Sequence, residues 1–168
     1  MSTTEHKAES PKTVGCKVIT VSDTRTEETD KSGQLMKQLL SEAGHECRSY
    51  EIVKDEAEAI VQAIKRGAKT EGVEVILLNG GTGIAKRDTT LEAVKGILVK
   101  EMPGFGEIFR MLSFTEDIGS AAILSRAIAG TYQEKGVFSV PGSTGAVRLA
   151  MTRLILPELG HVVRELRK

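Results

Sequence analysis

The apolar positions fall into short buried runs alternating with stretches of helical spacing. Lys17-Val18-Ile19-Thr20-Val21-Ser22 predicts a first strand. Leu35, Met36, Leu39, Leu40 and Ala43 then share one helical face, and Gly44 is the stop. Residues 47–53 predict a second strand. Asp55 and Glu58 have the D-x-x-E spacing that opens helices, ahead of Ala57, Ile60, Val61, Ile64 and Ala68 on one side. Val73, Val75, Ile76, Leu77 and Leu78 predict a third, buried strand. Thr89 and Glu92 repeat the capping spacing before Leu91, Val94 and Leu98. Phe105, Ile108, Phe109 and Leu112 stand at i, i+3, i+4 and i+7, a further helix. Residues 127–130 and 137–140 predict two short strands about a charged turn. A helix carrying Val147, Ala150, Met151, Leu154 and Ile155 follows, and a last one after Pro157. This alternation predicts an α/β chain in three layers, α/β/α, around a mostly parallel sheet. Residues 126–140 add one antiparallel strand, because their connection is too short for a crossover helix. Residues 1–13 are polar and predict a disordered tail, ahead of one domain over 14–168.

In open α/β sheets, ligands bind beyond the carboxyl ends of the strands. Three polar turns follow predicted strands here: Ser22-Asp23-Thr24-Arg25, Asn79-Gly80-Gly81-Thr82-Gly83 and Pro141-Gly142-Ser143. The middle turn is the most informative. Three glycines in four residues let the backbone bend sharply and bring bare N–H groups close to an anion. The spacing fits neither a Walker A loop, since no G-K-[ST] follows, nor a dinucleotide fingerprint, since Lys86 stands where the third Gly belongs. Asp88 comes just after this turn, and a carboxylate beside a bound phosphate implies a bridging metal. Each residue also has a structural reading. The glycines can serve a plain turn, Asp88 can favour the following helix N-terminus, Asp55 and Ser143 are good N-caps, and Asp23 and Arg25 can be solvated turn residues.

Composition narrows the classes. Lys+Arg and Asp+Glu are equal, 23 each, so no general attraction to nucleic acid or an anionic membrane is expected, and anions must be held by local geometry. No apolar run approaches the ~20 residues of a membrane span, and the polar start carries no secretion signal, which points to a cytoplasmic protein. Cys16 and Cys47 are far apart in sequence and read as buried thiols. His6, His45 and His161 have no catalytic neighbour in sequence and read as surface residues. Aromatic residues are 4% of the chain, so stacking platforms for a flat ligand are few.

In this order and spacing, several pieces resemble the MoaB/MogA family of molybdenum cofactor biosynthesis proteins. They are Val21-Ser22-Asp23-Thr24-Arg25, Gly80-Gly81-Thr82-Gly83 with Arg87-Asp88 and Thr90-x-Glu92-Ala93, Gly104-Phe105-Gly106-Glu107, Leu124-Ser125-Arg126 and Pro141-Gly142-Ser143. Residues 105–114 and 141–144 look more like the MoaB branch. The resemblance implies a MogA-like molybdopterin-binding fold and a homotrimer or homohexamer, with other proteins of the pathway as candidate partners. It implies molybdopterin as substrate: its terminal phosphate attacks the α-phosphate of Mg-ATP, giving adenylyl-molybdopterin and pyrophosphate. By the same resemblance, Asp88, with Asp55, serves catalysis and Asp88 holds Mg2+. Ser22, Asp23, Asn79, Gly80, Gly81, Thr82, Gly83, Ser125, Arg126, Pro141, Gly142 and Ser143 would line the nucleotide and pterin pockets. A phosphate monoester with a second pKa near ~6 is already ionised at pH 7, so the absence of a histidine or serine triad is no objection. A non-catalytic molybdopterin carrier is the alternative. A phosphatase-like hydrolase would need a nucleophile or paired metals, and neither is evident.

Overall fold

The computed structural model describes residues 2–168. In chain order the elements begin with α1 (Thr3–Ala8), β1 (Gly15–Val21), α2 (Lys31–Glu42), β2 (Glu46–Val53), α3 (Ala57–Lys69) and β3 (Val75–Asn79). There follow α4 (Thr90–Ile97), β4 (Lys100–Glu101), α5 (Pro103–Glu116), a 3-10 segment (Gly119–Leu124), β5 (Ile128–Tyr132) and β6 (Lys135–Val140). The chain closes with α6 (Thr144–Ala150), a π turn (Met151–Ile155) and α7 (Leu156–Leu166). Pro157 cannot donate to the carbonyl four residues back, and the π turn sits just before it, so one long helix absorbs the proline instead of breaking there.

The strands form one sheet in the order β2-β1-β3-β6-β5-β4. β2, β1, β3 and β6 run parallel and β5 antiparallel, as the short 126–140 connection demands. Gln133 and Glu134, both at positive φ, make the tight turn from β5 to β6. The two-residue edge strand β4 was not predicted; it is too short to carry a periodic signal. β1 and β3 are buried along their whole length, as strands covered on both faces must be. Val18, Leu77 and Phe138 meet α2, α5, α6 and α7 on one face, while Ile19, Ile76 and Leu78 meet α3 and α4 on the other. This is the expected three-layer α/β/α arrangement. Among the described residues, no helix is long and apolar enough to cross a membrane.

Three local expectations are corrected. Within the span expected as a tail, Thr3–Ala8 form α1: Ser2 and Glu5 make a capping box that starts it, and it docks on α7 through Lys7–Glu158 and Glu9–Arg164 ion pairs. Asp55 does not cap α3; Glu56 is its N-cap, without a side-chain hydrogen bond. Thr89 is the N-cap of α4, but its hydroxyl donates to Asp55 Oδ1 instead of closing a capping box. The two cysteines, distant in sequence, are register partners on β1 and β2; Cys16 is buried, Cys47 half-buried, and both are free thiols.

Candidate functional site

The three polar turns meet where the topology places them. The chain runs from β1 outward to β2, then crosses back to β3, so strand order reverses between β1 and β3. Beyond their carboxyl ends lies a cavity of about 370 Å³ lined by Ser22, Thr24, Arg25, the 80–83 turn, Asp88, Leu124, Ser125, Pro141 and Gly142.

The glycine turn depends on left-handed backbone. Gly80 and Gly81 have φ of +102° and +68°. A Cβ on Gly80 would lie 2.2 Å from the Val21 carbonyl oxygen, which is backbone and cannot move aside. Gly80→Ala is therefore expected to destabilise the protein by about 2–4 kcal/mol, combining left-handed strain with overpacking. Denaturant unfolding of the purified variant measures it, and a loss under ~0.5 kcal/mol would contradict the close approach of β1 and this turn. Gly80 N–H is engaged, donating to the Val140 carbonyl. The N–H groups of Gly81, Thr82 and Gly83 donate to no protein acceptor among the described residues, so these three, and not Gly80, are the N–H groups the turn leaves open.

Charged side chains brace the turns against one another. Arg25 donates to the Gly142 carbonyl at 2.9 Å and reaches Asp30 and Ser32, tying the first turn to the third. Asp23 accepts from Arg87 through both oxygens, at 2.7 and 3.0 Å, and from the Asp55 backbone. The Arg87 hydrogen bond holds the Asp23 carboxyl below its usual range, and Asp23 in turn raises Arg87. Arg126 donates to the Thr82 and Gly83 carbonyls and pairs with Glu92, whose carboxyl it pulls down. Arg126 therefore shapes the glycine turn from behind. Asp55, 6% exposed, accepts from the Thr89 N–H and hydroxyl and anchors the start of α4. Ser143 caps α6 by accepting from Ala146 N–H.

Asn79 does not line the cavity. Its side chain is fully buried, accepting from Ser32 Oγ and donating to Thr20 Oγ1. It belongs to a polar network under the floor of the site that sequence reading missed. At its centre is Asp30, wholly buried, which caps α2 at Gly33 and accepts from Tyr50 and Arg25. Burial pushes the Asp30 carboxyl up, but hydrogen bonds from Thr20, Tyr50 and Gly33, together with Arg25, outweigh it and leave it below its usual range. A carboxyl lowered by folding stabilises above its unfolded pKa of about 3.9, and that contribution fades as pH falls through the lower folded value. Asp30→Asn should therefore cost about 1–3 kcal/mol at pH 7, from cap and charged hydrogen bonds, with the gap to wild type closing as pH drops below ~4. Urea unfolding at neutral and acid pH measures both; a gap that widens toward low pH would refute the sign. Lys17, also missed, lies buried in β1, donating to the Ala63 carbonyl and to Glu51. No local pattern marks either residue.

Oxygen donors suited to a hard cation stand near the start of α4: Asp88 lines the cavity, whereas Thr90 and Asp55 are buried outside its lining. Asp88 uses one oxygen to accept from Ala85 N–H. Thr90 Oγ1 is buried without a hydrogen-bond partner. A Cβ on Gly81 would meet Thr90 Oγ1 at 2.1 Å and Asp55 Oδ2 at 2.8 Å, so only glycine fits against these two oxygens. This donor chemistry fits Mg2+, which takes carboxylate and hydroxyl oxygens with several waters.

Known proteins share this architecture. Residues 17–161 match the family model described as "Probable molybdopterin binding domain". The chain is 65% identical, over all 168 of its residues and 99% of the relative, to the molybdenum cofactor biosynthesis protein B of Bacillus cereus. It superposes on a crystal structure of a molybdenum cofactor biosynthesis protein B with a TM-score of 0.92, at 65% identity, covering 95% of this chain and 99% of that one. The tungsten cofactor synthesizing protein MoaB of Pyrococcus furiosus gives a TM-score of 0.83 at 40% identity, over 94% and 99% of the two chains.

Proposed function

The chain belongs to the molybdopterin-binding domain family of molybdenum cofactor biosynthesis, in its MoaB branch, and from that premise we propose that its three-turn cavity binds molybdopterin with Mg-ATP and transfers the adenylyl group to the pterin's terminal phosphate. The observation that carries this reading is the meeting of a bare N–H turn and Asp88 in one cavity at the reversal of strand order. Gly81, Thr82 and Gly83 donate N–H groups to phosphate oxygens. Asp88 would supply a carboxylate oxygen to Mg2+, with Asp55 as a second candidate donor. Such an ion, bound there, would neutralise phosphate charge between two anions that otherwise repel. Arg25 and Arg126 fix the turns, so alignment of the two phosphates costs little reorganisation when they bind. The attacking phosphate is ionised already, and no side chain has to remove a proton from it.

The same reading includes assembly into a trimer or hexamer. In the α5 helix Phe109 is buried and Phe105 and Leu112 are half-buried, whereas Ile108, Met111 and Phe114 are exposed, as are Ile118, Ile123 and Leu124 after it, the last lining the cavity. Exposed apolar side chains in this number along one stretch are what subunit contacts cover.

ATP consumption measured with and without molybdopterin tests the reading. The expected result is pterin-dependent release of pyrophosphate with formation of adenylyl-molybdopterin. Tight pterin binding with ATP left intact would overturn it in favour of a carrier.

A further inference from the structure

A second cluster of ligand atoms lies away from the cavity, where α1 docks on α7. His6 comes from α1; His161 and Glu165 stand one turn apart on α7. One ligand atom from each falls within 4.8 Å of the others, and this is the one group of three such residues so placed among the described residues. His6 Nδ1 is 3.2 Å from Glu165 Oε1, and His161 Nε2 is 3.8 Å from the same oxygen. Metal bonds of about 2.0–2.1 Å in a tetrahedron put neighbouring ligand atoms about 3.3 Å apart, so little closure is needed.

Hydrogen bonds fix the tautomers of both rings. His161 Nδ1 lies 2.9 Å from Glu158 Oε2, so it donates its proton there and leaves the Nε2 lone pair facing Glu165. A carboxylate behind a histidine is the outer-shell arrangement that fixes a metal-binding tautomer. His6 Nδ1 lies 2.9 Å from Arg164 Nη1, which can only donate, so the His6 Nδ1 lone pair accepts from the guanidinium that a cation would displace. Arg164 Nη1 is 3.2 Å from Glu165 Oε1 as well, so the cluster already surrounds one positive charge. Lys168 at 2.8 Å is a second cation on Glu165, and its hydrogen bond holds that carboxyl below its usual range. Arg164 has another partner in Glu9 at 2.9 Å, toward which it can turn.

We propose that His6, His161 and Glu165 form a binding site for a zinc-class divalent cation that staples the N-terminal helix to α7. Two imidazoles and one carboxylate suit such an ion, with water in the fourth position. The site is independent of adenylyl transfer.

Competition with a chromophoric chelator, using the full chain and Zn2+ alone, tests this. Wild type should bind one Zn2+ per chain. His6→Gln and His161→Gln should each weaken binding on the order of 100-fold, and Glu158→Gln by about 10-fold. Arg164→Gln should strengthen it, because a competing charge is removed. Zinc should raise the melting temperature of wild type but of neither histidine variant, which also reports that all variants fold. Absence of saturable binding at micromolar concentrations, equal affinity in wild type and His6→Gln, or loss in only one histidine variant would overturn the site.

Discussion

Asp88→Asn is expected to lower the single-turnover rate of the proposed adenylyl-molybdopterin formation by about 10²-fold or more, roughly 2.7 kcal/mol of barrier. Asn keeps an oxygen to accept from Ala85 N–H, so the turn survives and only the charge is lost. Melting should change little, because a helix-end charge is worth at most about 1 kcal/mol. Molybdopterin binding should largely persist. Equal rates in the two proteins would rule out a metal role for Asp88, and an unfolded variant would show at once in the melt.

Met111→Glu combined with Phe114→Glu is expected to reduce the proposed oligomer to monomers. Both side chains are 57% exposed in the isolated chain, so charges there should change the stability of the monomer fold by no more than about 0.5 kcal/mol. In a subunit contact the same charges would be desolvated without partners, at several kcal/mol each. Light scattering at micromolar concentration should give a trimer or hexamer for wild type and a monomer for the double variant. A monomeric wild type, or an unchanged mass in the variant, would contradict the interface.

Sequence pattern carried every strand but β4, every α-helix but α1, and the meeting of the three turns, because each rests on local information. The glycines at 80 and 81 were legible for the same reason: left-handed backbone leaves a compositional mark. What escaped is long-range. Asp55 looks like a cap to its own neighbours, and only the fold brings Thr89 to its carboxylate. Asp30 and Lys17 acquire their partners Tyr50 and Glu51 through the pairing of β2 with β1. Asn79 falls within a motif, yet the strand end turns it inward to Ser32 and Thr20. The N-terminal helix has no buried apolar face to announce it; charges and His6 hold it on α7.

A crystal soaked with ATP and Mn2+, as an anomalous stand-in for Mg2+, tests the central claim most directly. The account predicts the metal at the Asp88 carboxylate and phosphate oxygens on the N–H groups of Gly81, Thr82 and Gly83. Nucleotide bound elsewhere on the molecule, or metal density away from Asp88, would contradict it.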